Sequence, residues 1–242
     1  MMHQIVIRTD ASIRIATGHV MRCLTLATVF RQRGHQVRFI CRNLAGNRIE
    51  MIQSEGFEVL VLPKPLIEAS DVSCRHSDWL ETTQMNDAMQ TIQVLPDTVD
   101  YLVVDHYAID VVWERKLKPY TRRMIVLDDL ADRQHECDVL LDQHRLDETQ
   151  AYVGRVPEAC QMLLGPKFAL LRDEFVTAYE SLKSKELLLK VGVVQRILLF
   201  MTGGADLNHD TRWALKALES EVFHDLEVNI VIGSTHHDLM GI

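Results

Sequence analysis

Asp10, Gly18, His19 and Arg22 lie close together near the start of the chain, and Asp105, His106 and Tyr107 form a second polar run far downstream. A neutral imidazole can take a proton from water when a carboxylate orients its other nitrogen, so these residue types suit general-base chemistry. Residues 3–9 read as an apolar strand that delivers Asp10 to its end. A short polar loop closes on Gly18, and a helix opens with His19 in its first turn. The partial positive charge of a helix N-terminus disfavours imidazolium and keeps the ring available as a base. The plainer reading of His19 is a filler of the loop–helix junction. Arg22, three residues on, shares the helix face of His19 and could meet a phosphate or a sugar; otherwise it is a solvated surface arginine.

The run Asp105-His106-Tyr107 closes another apolar segment. Burying an acid and a histidine there requires partners, unless Asp105 caps the next helix and Tyr107 packs. Asp128-Asp129 also follow a strand, where paired acids read more readily as loop caps than as metal ligands. No His, Cys or carboxylate spacing typical of a metal centre is present, so neither a metal nor a cofactor is expected. Gly203-Gly204 sit between a strand and a helix, a turn that can offer backbone N–H groups to a phosphate or can be a plain tight turn.

Strand-like and helix-like segments alternate around these residues. Strands are predicted at 3–9, 36–41, 57–62, 101–105 and 123–127, with a further pair at 139–142 and 162–165. Helices are predicted at about 19–33, 47–55, 78–94 and 110–118. In the first helix Val20, Cys23, Leu24, Ala27 and Phe30 share one face, and Gly34 ends it. This alternation predicts an α/β fold with a doubly wound parallel sheet of order 3-2-1-4-5. Ligands bind such sheets beyond the carboxyl ends of the strands, where the order reverses. That crevice falls between the first and fourth strands, and would be lined by Asp10, His19, Asp105, His106 and Tyr107.

A polar helix near 169–189 leads to a second strand–helix–strand pattern at 196–201, 208–220 and 226–232. One such unit is too small to bury its own sheet. The expected organisation is therefore a Rossmann-like catalytic domain over 1–165, a linker helix over 166–190, and the start of a truncated nucleotide-binding domain over 191–242. The chain has 242 residues, 47% of them hydrophobic, and a formal net charge of −8. That balance excludes disorder and speaks against a nucleic-acid partner. The apolar runs are strand-length, so no membrane span is expected, and the N-terminus lacks the features of a signal peptide. Cys23, Cys41, Cys74, Cys137 and Cys160 are scattered and odd in number, as suits reduced thiols in a cytoplasmic protein.

Several of these stretches together resemble the UDP-sugar hydrolases of the pseudaminic acid pathway. They are Arg-Thr-Asp-Ala-Ser (8–12), Gly-His-Val-Met-Arg-Cys-Leu-Thr-Leu-Ala (18–27), Val-Val-Asp-His-Tyr (103–107) and Leu-Asp-Asp-Leu-Ala-Asp-Arg (127–133). Leu-Leu-Asp-Gln (140–143), Leu-Leu-Gly-Pro-Lys-Phe-Ala-Leu-Leu-Arg-Asp-Glu-Phe (163–175) and Gly-Gly-Ala-Asp-Leu-Asn (203–208) complete the set. The resemblance implies a GT-B-like architecture and UDP-2,4-diacetamido-2,4,6-trideoxy-β-L-altropyranose as substrate. It implies that His19 activates a water, which attacks the anomeric carbon with inversion as UDP leaves, without a metal. It also implies that most uridine and diphosphate contacts come from segments beyond residue 242. The family usually has glycine where this chain has Ala16, a position where glycine permits positive φ. A glycosyltransferase of the same fold, or a nucleotide-sugar-binding remnant without activity, are the rival readings. Oligomeric state is not legible.

Overall fold

The computed structural model describes residues 1–65, 75–144, 149–185, 197–201, 210–219 and 227–231. Two compact units divide the chain, Met1–Arg172 and Asp173–Ile242.

The first unit is built on seven parallel strands: β1 (Gln4–Thr9), β2 (Gln36–Arg42), β3 (Glu58–Leu62), β4 (Tyr101–Asp105), β5 (Arg123–Leu127), β6 (Val139–Asp142) and β7 (Gln161–Leu164). Their order is β3-β2-β1-β4-β5-β6-β7, so the predicted reversal between β1 and β4 is present. β6 and β7, expected only as a pair, extend this same sheet in parallel. Side chains alternate across each strand and so create two cores. Ile5, Ile7, Phe39, Cys41 and Val103 pack on one face with Val20, Cys23, Leu24 and Ala27 of α1 (Gly18–Gln32). Val6, Ile40, Leu102 and Val104 pack on the other with Ala88 of α3 (Gln84–Val94) and Trp113 and Leu117 of α4 (Val111–Leu117). A short helix, α2 (Ile49–Ser54), precedes β3.

The segment predicted as one helix over 78–94 is broken. A 3-10 turn spans Ser77–Leu80, Glu81 takes a left-handed φ of 53°, and Thr83 caps α3 by accepting a bond from the Asn86 N–H. The threonine hydroxyl satisfies an N–H that a continuous helix would have bonded internally, which is why the restart falls there. The break matters because it places Trp79 on a turn, next to His76, rather than on a helix.

The second unit contains α5 (Asp173–Lys185), β8 (Ile197–Met201), α6 (Asp210–Leu218) and β9 (Glu227–Val231), with β8 and β9 paired in parallel. The helix predicted from 169 begins at Asp173, and a 3-10 turn at Pro166–Phe168 precedes it. Gly203, Gly204 and the His236-His237-Asp238 run lie outside the described residues. No described helix is long and apolar enough to cross a membrane.

Candidate active site

Because the sheet is parallel, β1, β4 and β5 all point their carboxyl ends to one edge. Thr9 pairs with Asp105 in register, so the residues that follow β1 and β4 emerge side by side. The N-terminus of α1 opens at the same edge and presents His19 to Asp105. His19 Nδ1 lies 2.5 Å from Asp105 Oδ1. Arg22, one turn along, donates Nε to Asp105 Oδ2 at 2.7 Å and Nη2 to Oδ1 at 2.6 Å, and the Cys23 thiol donates to Oδ2 at 3.3 Å. Arg22 Nη2 is also 3.2 Å from His19 Nδ1. An ionised carboxylate can only accept, so the short approach of Nδ1 to Asp105 means that Nδ1 carries the proton, and Arg22 Nη2 bonds the carboxylate rather than the ring. Nε2 is then left as the basic nitrogen.

Asp105 is fully buried and takes all four of these contacts, so it has no reach toward a substrate. Burial alone would raise its pKa, but the charges and hydrogen bonds of His19 and Arg22 outweigh burial and hold it well below the usual carboxylate range. Of the two strand-end acids, Asp105 and not Asp10 bonds the His19 ring.

Arg22 is spanned by two acids. Besides Asp105, its Nη1 donates to Asp129 Oδ2 at 3.0 Å, and the other oxygen of Asp129 accepts the Tyr107 hydroxyl. Arg22, expected from sequence to meet a phosphate or a sugar, here bonds Asp105 and Asp129 with its guanidinium. Asp129, read from sequence as a loop cap, instead joins Arg22 to Tyr107 at the end of β5. Its place immediately after a strand adjoining β4 was the signal available for it. The Tyr107 ring stands edge-on to His19, with centroids 4.4 Å apart. Trp79 lies 5.7 Å from Tyr107, and His76 lies 4.4 Å from Trp79, completing an aromatic wall beside the imidazole. Nothing in the sequence reading marked Trp79 or His76.

Asp10 and His106 turn the other way. Asp10 Oδ1 accepts the Arg42 N–H at 2.7 Å and lies 2.7 Å from Arg8 Nη1, while Oδ2 faces His106 Nε2 at 3.3 Å. His106 Nδ1 accepts the Ala108 N–H at 3.1 Å, which assigns its proton to the nitrogen facing Asp10. Burial pushes the His106 pKa down despite Asp10, so the ring is neutral. Both residues belong to a closed cluster beneath the crevice, and Asp10 is 0% exposed.

Gly18 begins α1, is exposed, and has open space where a Cβ would stand. Thr17, at the N-cap, makes no side-chain bond to the helix, and the first turn holds no acid, so the N-terminal partial charge is unquenched by them. The loop that leads there bends at Ala16, whose φ of 59° is the left-handed conformation that glycine adopts most readily. Among the described residues no three His, Cys, Asp or Glu side chains are grouped to hold a metal ion.

These features fit what the comparisons find. The chain is similar to a UDP-sugar hydrolase. It is 29% identical over 172 residues, 71% of its own length, to the UDP-2,4-diacetamido-2,4,6-trideoxy-β-L-altropyranose hydrolase of Campylobacter jejuni, and covers 53% of that protein. It is 24% identical over 235 residues to an uncharacterised protein of Methanocaldococcus jannaschii, covering 95% of this chain and 42% of the relative. The chain thus spans about half the length of the curated relatives it matches. No protein-family model matches it. Among solved structures it is similar to MurG of Acinetobacter baumannii, with a TM-score of 0.51 at 11% identity, over 96% of this chain and 68% of that one. That likeness concerns the fold, and places this α/β chain with the GT-B proteins.

Proposed function

We propose that this chain carries the catalytic face of a nucleotide-sugar hydrolase acting on UDP-2,4-diacetamido-2,4,6-trideoxy-β-L-altropyranose. The observation that carries the reading is the His19–Asp105 pair at the open N-terminus of α1. With Nδ1–H committed to Asp105, Nε2 accepts a proton from water as the oxygen bonds to the anomeric carbon. The bond from that carbon to the phosphate oxygen breaks, its electron pair leaves with UDP, and the configuration inverts. A diphosphate is a good leaving group, so the base does most of the proton work. As the ring becomes imidazolium, the buried Asp105 carboxylate stabilises the charge, and Arg22 keeps that carboxylate ionised and in place. The exposed Gly18 and the first N–H groups of α1 offer the nearest positive partial charge to a phosphate. Gly203 and Gly204 remain the proposed phosphate contacts of the second unit. The aromatic wall of Tyr107 and Trp79 gives the sugar an apolar side to rest on.

The test uses the protein expressed from its complete reading frame. Replacing His19 with Asn or Ala should lower UDP release by about 10³-fold or more while the unfolding transition stays in place. Turnover at the wild-type rate by either variant overturns the assignment. UDP release that requires an added sugar or lipid acceptor would assign glycosyl transfer on the same fold instead. Calorimetric titration of the 242-residue chain with UDP separates both from a folded chain that does not engage the nucleotide.

A further inference from the structure

Far from His19, two thiols face each other at the start of the last two strands of the sheet. Cys137 Sγ and Cys160 Sγ are 3.6 Å apart. Cys160 stands immediately before β7, and Cys137 two residues before β6, strands that run in parallel with Val139 opposite Gln161. The backbone there is already in register, since the Gln161 N–H bonds the Asp138 carbonyl at 2.9 Å. Adjacent strands are about 4.8 Å apart, within the backbone separation that a disulfide bridges. Reaching the S–S bond length of about 2.05 Å asks for a movement of roughly 1.5 Å, which side-chain rotation at an edge strand can supply. Cys137 is buried, and Cys160 is partly exposed. Neither thiol touches the His19 site, and neither has a role in the proposed hydrolysis.

We infer that Cys137 and Cys160 form an oxidisable dithiol site, which takes low-molecular-weight disulfides as its reactant and closes to an intramolecular disulfide. Cys160 is the attacking sulfur. It is the partly exposed thiol and so meets the reactant first, whereas the contact with Cys160 and burial push the Cys137 thiol up. The Cys160 thiolate attacks one sulfur of the incoming disulfide, expels the other as a thiolate, and holds a mixed disulfide. Cys137 then gives its proton to solvent, and its sulfur attacks Cys160 Sγ, expelling the second thiolate. Two protein thiols are oxidised and one small disulfide is reduced to two thiols. The new bond closes the chain between 137 and 160 and ties β6 to β7 at the edge of the sheet.

The experiment incubates the reduced protein with oxidised glutathione, alkylates the remaining thiols, and maps tryptic peptides by mass. The expected product links peptide 134–145 to peptide 156–167, with two hydrogens fewer than the separate peptides, and dithiothreitol reverses it. The oxidised protein should unfold at a temperature higher by roughly 5–10 °C, as expected for a loop of this size. Cys160→Ser should abolish both the link and the shift. The proposal is overturned if both peptides stay separately alkylated, if the reaction halts at a mixed disulfide on Cys160, or if links scatter among Cys23, Cys41 and Cys74. The wild-type peptide map decides the matter even if a serine variant does not fold.

Discussion

Asp105 and Asp87 are both fully buried aspartates wrapped by arginine, and both lie toward the carboxyl edge of the same sheet. Around Asp87, Arg8 donates at 3.3 and 2.8 Å, Arg42 at 3.1 and 2.6 Å, and the Trp113 indole at 2.8 Å. With Asp10 the cluster balances two guanidiniums against two carboxylates, and its polar atoms face one another. Around Asp105 the partners include an imidazole, and that ring keeps one nitrogen uncommitted beside an exposed glycine. The Asp87 cluster is closed and binds β1, β2, α3 and α4 into one body. The Asp105 cluster leaves His19 Nε2 outside its pairing, and that is the nitrogen the proposed hydrolysis uses as base. Charge pairing at the sheet edge thus serves rigidity in one place and, on the proposed reading, chemistry in the other; the difference is one imidazole nitrogen of the buried His19 left outside the pairing.

The sharpest way to break this contrast is to swap the two costs. Asp105→Asn removes the charge that fixes the His19 tautomer and stabilises imidazolium, so UDP release should fall by about 10³–10⁴-fold. Stability should fall by only about 1–2 kcal/mol, because Arg22 keeps Asp129 and its side chain retains 14% exposure. Asp87→Ala should do the reverse. It strands Arg42 and the Trp113 N–H in the interior and costs about 3–5 kcal/mol, read from the urea midpoint, while the folded fraction keeps its turnover per molecule. If Asp87→Ala lowers stability by less than about 1 kcal/mol, the closed cluster is not the anchor described here.

The sheet was legible because each parallel strand carries its own apolar run and each crossover its own helix. The site was legible in part. His19 and Asp105 announce themselves at the ends of such elements, and the strand order brings them together. Asp10 was not separable from them, since its partners are Arg8 on its own strand and Arg42 on a neighbour, with Asp87 from a helix behind. Nothing local to Asp87 marks it: it sits in an amphipathic segment where a charged residue ordinarily faces water. The acids that bond Arg22 are equally hidden in the sequence, because Asp129 is distant along the chain and adjacent only once β5 lies beside β4. Pairwise charge matching across strands is a tertiary property, and one-dimensional spacing carries little of it.

A third buried cluster, behind β5, gives a pH test of the same idea. His135 Nδ1 lies 2.8 Å from Glu114 Oε1, and Nε2 lies 3.8 Å from Asp128 Oδ2. Burial opposes its charge, as does Arg133, but Glu114 and Asp128 outweigh both and push its pKa up from 6.5 to about 9. A pKa raised in the folded state means that the protonated ring stabilises the fold. That contribution is complete below the unfolded value of 6.5 and disappears as the pH rises through about 9. The loss should amount to roughly 3 kcal/mol between those limits, measured as the fall in unfolding free energy. His135→Gln should flatten that slope. An unchanged slope in the variant would remove His135 from the closed class of clusters and assign the pH dependence to other groups.

The smallest expected effect lies in the loop that delivers α1 to the open site. Ser12 Oγ accepts the Arg14 and Ile15 N–H groups, each at 3.1 Å, and the Ala16 N–H returns to the Ser12 carbonyl at 2.9 Å. Those bonds force Ala16 to a φ of 59° just ahead of the helix. An L-residue there carries about 1–2 kcal/mol of strain, and glycine relieves it while adding about 0.4–1 kcal/mol of unfolded-state entropy to overcome. Ala16→Gly should therefore change stability by no more than about 1 kcal/mol, in the favourable direction, with UDP release unchanged. Ala16→Val, whose branched side chain crowds the left-handed region, should lower stability instead and move His19 relative to Asp105. Opposite signs for the two variants would show that alanine already holds the bend a glycine would hold, and that the loop sets where the base stands. Equal effects would mean the bend is not transmitted to α1.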